Sequence, residues 1–319
     1  MKIVIPGGSG QVGRMLARRL HADRHQVVVL SRTPTTELWR TVLWDARTIG
    51  AWRQELEGAD AVINLAGRSV NCRYTAANRE AILASRVSST HVVGAAIAGA
   101  QRPPHVWLQA STATIYSHRY DAPNDEATGN LGVTDPDAPK SWRFSIEVAR
   151  AWENTLEEAL TLQTRKVALR SAMTMSADRK GVFDTLLRLV RYGLGGQAGD
   201  GRQYVSWIHE EDFIRAIYWL IEQDTVVGPV NISAPNPLPN AEFMCAIRHA
   251  WGIPFGMPST KGMLEIGAVA LKTETELTLK SRRVVPKRLL ETGFTFQFPS
   301  WPEAAQDLCR QWREQNSKR

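Results

Sequence analysis

The apolar run Ile3-Val4-Ile5 leads straight into Pro6-Gly7-Gly8-Ser9-Gly10-Gln11-Val12-Gly13, and helical periodicity follows, with Val12, Leu16 and Leu20 on one face. Glycines at G-x-x-G-x-x-G spacing between a strand and a helix suit one task, the holding of a pyrophosphate. They permit a tight turn, bring backbone N–H groups close to the ligand and let the helix pack against the strand. The helix N-terminus adds unpaired N–H donors and the positive end of a dipole. Gly7, Ser9, Gly10, Gln11, Val12 and Gly13 are therefore the expected cradle of a dinucleotide.

The end of the second strand decides which dinucleotide. A 2′-hydroxyl there calls for an Asp or Glu about twenty residues beyond the glycine loop. Here Val27-Val28-Val29-Leu30 ends in Ser31-Arg32, with no acid. A guanidinium pairs with a 2′-phosphate in bidentate geometry. Ser31 and Arg32 thus point to NADP(H).

Two other groups of residues invite a chemical reading. His209-Glu210-Glu211-Asp212 carries metal-ligand side chains, but no second ligand group has matching spacing. Acids at a helix start cap N–H groups and meet the dipole, which is the preferred reading; no metal is expected. Cys72, Cys245 and Cys309 are odd in number and far apart, which favours free thiols in a reducing, cytoplasmic setting.

These residues need a scaffold. Apolar, β-branched runs predict strands at 2–5, 26–30, 42–44, 61–65, 106–109, 166–169 and 230–232. Amphipathic segments separate most of them, among them 212–222, where Phe213, Ile214, Ile217, Leu220 and Ile221 share a face. Strand and helix in alternation imply an α/β fold, a doubly wound parallel (Rossmann) sheet. Pro235, Pro237 and Pro239 break the pattern. Beyond them helices are expected at 241–251, 263–271, 286–291 and 301–311. The expected organisation is a dinucleotide-binding domain over 1–234 and a smaller, mostly helical lobe over 235–319, which forms a substrate cleft together with parts of 172–210. Trp207 and His209 are expected to border that cleft. The polar segment 117–140 reads as a lid or binding loop.

The chain has 319 residues, 43% of them hydrophobic, and a net charge of +7. No apolar run is expected to span a bilayer, and no signal peptide is apparent. Residues 280–319 hold nine basic residues against four acidic ones. Without a recognition motif this reads as a solvated basic surface rather than a nucleic-acid site.

Further motifs carry a family resemblance across nearly the whole chain. They include Asn64-Leu65-Ala66-Gly67, Ser85-Arg86-Val87, Trp152-Glu153, Leu169-Arg170-Ser171, Ser206-Trp207-Ile208-His209, Gly228-Pro229-Val230-Asn231 and Val285-Pro286-Lys287-Arg288. With the glycine loop they resemble the extended and atypical short-chain dehydrogenase/reductase superfamily, and within it the epimerase-like group that has a C-terminal domain of unknown function. The resemblance implies NADP(H) along the strand ends, with Leu65, Ala66, Gly67 and Arg86 near the cofactor. For Arg86 a structural ion pair is the rival reading. The superfamily's usual Tyr-x-x-x-Lys pair, in which the cation lowers the phenol pKa, is absent: no lysine stands four residues after any tyrosine. Counted back from Trp152-Glu153, the tyrosine would fall near Phe144-Ser145 and the lysine near Val148-Ala149. Ser111 matches the position whose hydroxyl contacts the substrate oxygen, Thr112 adjoins it, and Tyr116 stands where extended members often place a tyrosine. Ser111 is otherwise a strand-end cap and Tyr116 a packing aromatic.

The expectation is an NADP(H)-dependent oxidoreductase or epimerase-like enzyme for a small carbonyl or hydroxyl compound, acting as a monomer or homodimer without membrane or nucleic-acid partners. The rival is a non-catalytic NADP(H)-binding sensor or scaffold.

Overall fold

The computed structural model describes residues 1–132, 139–260, 262–265 and 274–317. Seven parallel strands form its centre: β1 (Lys2–Pro6), β2 (Gln26–Ser31), β3 (Arg40–Leu43), β4 (Ala61–Asn64), β5 (Val106–Thr112), β6 (Arg165–Ser171) and β10 (Gly228–Ile232). Their order is β10-β6-β5-β4-β1-β2-β3. The order reverses beside β1, between β4 and β2. In an open sheet of this kind, ligands bind outside the carboxyl ends of the strands at that reversal.

The sheet interior explains the pattern of the sequence. Ile3 and Ile5 face one layer and Val4 the other, and all three are fully buried. Strands buried on both faces lose the polar alternation of half-exposed ones. On the first face, α1 (Gln11–Ala22) and α5 (Glu210–Glu222) bring Leu16, Leu20, Phe213 and Ile217 into the core. On the second, α2 (Ala76–Ala98) and α3 (Lys140–Glu157) pack against Val62 and Trp107. At 23 residues, α2 is long and apolar enough to cross a membrane, which corrects the sequence expectation; here Val92, Val93 and Ile97 are buried in this layer.

A second core lies beyond the sheet. It joins β7 (Met173–Met175), α4 (Val182–Arg191), β8 (Tyr204–Val205) and β9 (Trp207–His209) to β11 (Leu238–Pro239), α6 (Asn240–Trp251) and α9 (Trp301–Ser317). Phe243 stacks on Trp301 at 4.2 Å between ring centroids, and Trp207 tilts against Trp301 at 4.8 Å. Trp207 and His209 are thus buried here and do not border a cleft, a further correction. His209 caps α5 by accepting the Glu211 N–H at Nδ1, and burial holds its pKa down at about 4. Asp212 accepts N–H groups from Gln297 and Phe298, so these acids and their histidine join backbone segments. Among the described residues no group of three or more side chains could hold a metal.

The short helices α7 (Glu276–Leu279) and α8 (Lys287–Glu291) complete the chain. Of the helix expected at 263–271, residues 263–265 are helical and the rest lie outside the described residues. The basic segment is not one solvated surface. Lys280 and Arg282 are buried, and Arg288 donates to the carbonyls of Val227 and Pro229. Between 117 and 132, bridges pair Tyr116 with Leu131 and Asn124 with Val284. That part of the expected lid is clamped to the C-terminal segment.

Candidate functional site

Backbone geometry at the sheet reversal is dictated by glycine. Gly7 has φ +76°, and a Cβ there would lie 2.6 Å from the backbone of Ala66. Gly13 would drive a Cβ to within 2.5 Å of Gly8 Cα. Gly10 differs: its φ is ordinary, and a Cβ would meet only Gly7 O, at 3.6 Å. The protein itself does not require glycine at position 10. The N-terminus of α1, which begins after Gly10, has no side-chain cap and no acid in its first turn. Its orphan N–H groups are left to a ligand.

Asn64 shapes the opposite wall. Its side chain accepts the Ala66 N–H and donates to Gln109. The loop from Leu65 to Gly67 is thereby held over Gly7. Between these walls lies a cleft of about 250 Å³, lined among others by Gly7, Ser9, Gly10, Ser31, Arg32 and Leu65–Gly67. Ser31 donates to Ser9 at 3.1 Å across its floor. Arg32, Arg47 and Arg68 also line it, against one acid, Asp45. That carboxylate is already engaged by Arg47 N–H and by the N–H and hydroxyl of Thr48, which bring its pKa to about 2. Arg32 is exposed at the rim. Gln11, Val12 and Gly13 stand behind the lining: Gln11 reaches Ser176, Val12 packs into the core and Gly13 lies on Gly8.

A second cleft, about 220 Å³, opens beside the carboxyl end of β5. Ser111, Thr112, Arg86, Tyr74, Ser145 and Glu276 give it polarity, and Ile82, Phe144, Val148 and Trp152 give it apolar walls. The two clefts adjoin at Gly67, where the Arg86 guanidinium packs against the glycine. Arg86 lies over the Trp152 ring at 4.9 Å and donates to the carbonyls of Arg68 and Ile82. It forms no ion pair among the described residues, and desolvation lowers its pKa to about 10. Among the described residues the rival ion-pair reading finds no partner. A desolvated cation beside a cleft favours an anionic ligand.

Ser111 donates to Glu153 Oε1 at 2.5 Å. Arg170 grips the same carboxylate through Nε at 2.9 Å and Nη2 at 2.8 Å. With its proton committed to Glu153, Ser111 Oγ offers lone pairs to the cleft. Tyr116 stands apart from Ser111 and Thr112. Its hydroxyl accepts from Arg170 Nη1 and donates to Asn231 Oδ1, both at 2.9 Å, and the residue is buried outside the lining. Desolvation raises its phenol pKa, against the pull of Arg170.

Residues 3–233 match the family model for the NAD dependent epimerase/dehydratase family. The chain belongs to this family. Residues 263–308 match DUF1731, a domain of unknown function. Among relatives of this epimerase family, the Bos taurus epimerase family protein SDR39U1 is 29% identical over 97% of this chain and 99% of its own. Epimerase family protein YfhF of Bacillus subtilis is 30% identical over 93% of this chain and 94% of its own. The crystal structure of human epimerase family protein SDR39U1 (isoform 2) with NADPH superposes with a TM-score of 0.85 at 27% identity, covering 97% of this chain and 99% of that one.

Sequence reasoning missed Tyr74, Ser145 and Glu276, which come from three separate segments. Only the count back from Trp152-Glu153, which ends at Phe144-Ser145, pointed to this corner.

Proposed function

We propose that this family member is an NADP(H)-dependent oxidoreductase or epimerase-like enzyme for a small carbonyl or hydroxyl compound. The observation that carries this reading is the adjacency of the two clefts, where Gly67 of the first packs against Arg86 of the second. One end offers a phosphate cradle and arginines, and the other offers hydroxyls. The residues fit the cofactor on three counts: the open space at Gly10, the uncapped N-terminus of α1, and an arginine excess opposite an acid that is already satisfied. The human relative crystallised with NADPH adds support.

In this reading Gly7, Ser9, Gly10 and the N–H groups of Gln11, Val12 and Gly13 hold the pyrophosphate. Ser31 and Arg32 hold the 2′-phosphate, Leu65–Gly67 line the path, and Arg86 faces the anionic cofactor near the second cleft. When bound, the dinucleotide supplies or accepts a hydride. Ser111 Oγ, whose own proton goes to Glu153, accepts a hydrogen bond from the O–H of the substrate in its hydroxyl form, with Thr112 beside it. Tyr116 is assigned a positioning role through Arg170. The domain division proposed is 1–234 and 235–319, with parts of 172–210 packed into the smaller lobe.

The test is a fluorescence titration with NADPH and NADH, followed by a screen of small aldehydes and ketones monitored by NADPH oxidation. Tighter binding of NADPH and turnover lost in Ser111→Ala are expected. Equal affinities would overturn the NADP assignment. A second reading, an NADP(H)-binding sensor without turnover, is favoured by one observation: apolar Val148 lines the cleft near the position where the superfamily's lysine would stand. Tight NADPH binding with no turnover across the screen would select it.

A further inference from the structure

Three side chains outside the usual motif bring two hydroxyls and a carboxyl to one wall of the second cleft. Tyr74 lines this wall beside Ser145, whose hydroxyl opposes the rise that burial gives the phenol pKa. Ser145 Oγ donates to Glu276 Oε2 at 2.6 Å. All three line the cleft that also holds Ser111 and Thr112. They come from distant places: the segment before α2, the first turns of α3, and α7. Glu276 lies within residues 263–308, the domain of unknown function.

The surroundings hold these side chains in place. Tyr74 meets Phe144 edge-on at 5.1 Å, and its backbone N–H donates to Glu274 Oε1 at 2.8 Å. Thr75 caps α2 directly after it, by accepting the Asn78 N–H. Glu276 is 2% exposed. Lys280 Nζ stands 3.7 Å from Glu276 Oε1, and Arg282 Nη2 donates to the Glu276 backbone carbonyl. The charged and titratable groups that face Tyr74 are Arg86, Arg282, Glu276, Glu274 and Cys72. Those that face Glu276 are Lys280, Arg282, Ser145 and Tyr74.

We propose that Tyr74 is the catalytic phenol of this cleft and that the C-terminal domain supplies its proton, from Glu276 through Ser145. This deepens the oxidoreductase reading and rests on it. Ser145 stands near where the superfamily's tyrosine would lie, so the phenol returns to that corner from another segment. The relay has two polarities. With Glu276 ionised, Ser145 donates to it, and Tyr74 donates to Ser145. With Glu276 protonated, the carboxyl donates to Ser145 and Ser145 donates to Tyr74. The phenol proton is then free to face the cleft.

As the carbonyl carbon receives hydride from the reduced dinucleotide, its oxygen takes the proton of Tyr74 Oη. Tyr74 takes the proton of Ser145, and Ser145 takes that of Glu276. The products are the alcohol, the oxidised dinucleotide and the Glu276 carboxylate, which solvent reprotonates. Burial raises the Glu276 pKa, despite the opposing pull of Arg282 and Lys280. Reduction therefore requires the protonated acid and is lost as pH rises through the Glu276 pKa.

The test uses the full chain labelled with ¹³Cζ-tyrosine, without substrate. The Tyr74 resonance is assigned by its loss in Tyr74→Phe and followed with pH. It is expected to report the Glu276 titration, and to lose that response in both Glu276→Gln and the milder Ser145→Ala. A pH-independent Tyr74 resonance would overturn the relay. In parallel, NADPH oxidation is measured with the aldehyde and ketone panel. Tyr74→Phe is expected to lower kcat about a hundredfold while NADPH affinity is kept. An active protein whose Tyr74→Phe variant keeps full kcat would overturn the relay and leave the oxidoreductase reading standing. A relay seen by NMR in a protein that oxidises no NADPH would overturn that reading instead.

Discussion

Gly7 and Ala66 approach so closely that a single added methyl on Gly7 would lie 2.6 Å from the Ala66 Cα and N. Two strands that neighbour each other in the sheet, β1 and β4, thus present their loops to one ligand. Gly10, three residues on, meets no such wall. This contrast separates folding from binding. Gly7→Ala is expected to cost about 3 kcal/mol of stability, from the positive φ and the clash together. Gly10→Ala is expected to melt within a degree or two of wild type, yet to bind NADPH at least about tenfold more weakly, since the methyl stands where phosphate approaches backbone. Thermal melts and a fluorescence titration on both variants check the pair. Unchanged affinity in Gly10→Ala would defeat the cradle assignment.

Arg32 lies exposed at the end of β2, beside Ser31, whose hydroxyl already bonds Ser9. Its guanidinium is available to a phosphate and contributes nothing to the core. Arg32→Ala should weaken NADPH by about 2 kcal/mol, roughly thirtyfold, and leave NADH unaffected. Stability should stay within about 0.5 kcal/mol of wild type, as for other surface substitutions. Calorimetric titration of both dinucleotides measures the difference.

The sheet was legible because burial on both faces writes itself as continuous apolar runs, such as Val27 to Leu30 and Ala61 to Ile63. Its edges were less so. β5 runs three residues beyond Gln109 to Thr112, because Ala110, Ser111 and Thr112 pair with β6, the last two in spite of their polar side chains. The two- and three-residue strands β7, β8, β9 and β11 owe their form to partners far away in sequence, which no local pattern records. The cofactor loop was legible because its constraint is local: a turn, a close approach and a helix start within seven residues. Tyr74, Ser145 and Glu276 were not, because nothing but tertiary packing brings them together. Trp207 was misplaced for a related reason. A tryptophan beside a histidine suits a cleft wall and a core equally well, and here Trp301 decides for the core.

Tyr116 provides a test of positioning against catalysis. Its hydroxyl joins Arg170 to Asn231 and stands outside the cleft lining. Tyr116→Phe leaves a buried guanidinium N–H and a buried amide oxygen each short of a partner. A loss of about 2 kcal/mol in stability is expected. If substrate is turned over, kcat should stay within about threefold of wild type, because the hydroxyls that line the cleft belong to Ser111 and Tyr74 and not to Tyr116. Denaturant titration and steady-state kinetics on this variant settle the role. A loss of kcat beyond a hundredfold with unchanged stability would return Tyr116 to the catalytic set.

Glu210 opens α5, and burial pushes its carboxyl up to about 7. The Ala177 N–H and Arg18 pull the other way, while Asp178 and Glu211 add to the rise. Its folded pKa is above the unfolded value, so the protonated form is favoured by folding. That contribution is complete below the ordinary glutamate range and is lost as pH rises through about 7. Glutamine keeps the acceptor for the Ala177 N–H and removes the charge. Glu210→Gln should therefore exceed wild type in stability by about 2 kcal/mol at pH 8, and the gap should shrink steadily towards pH 5. Neighbouring His209 has the opposite sign, being buried neutral with a pKa near 4, but it is common to both proteins and cancels in the difference. Urea denaturation of the pair across this range measures the gap. A difference that does not change with pH would mean that Glu210 ionises as freely in the folded chain as in the unfolded one.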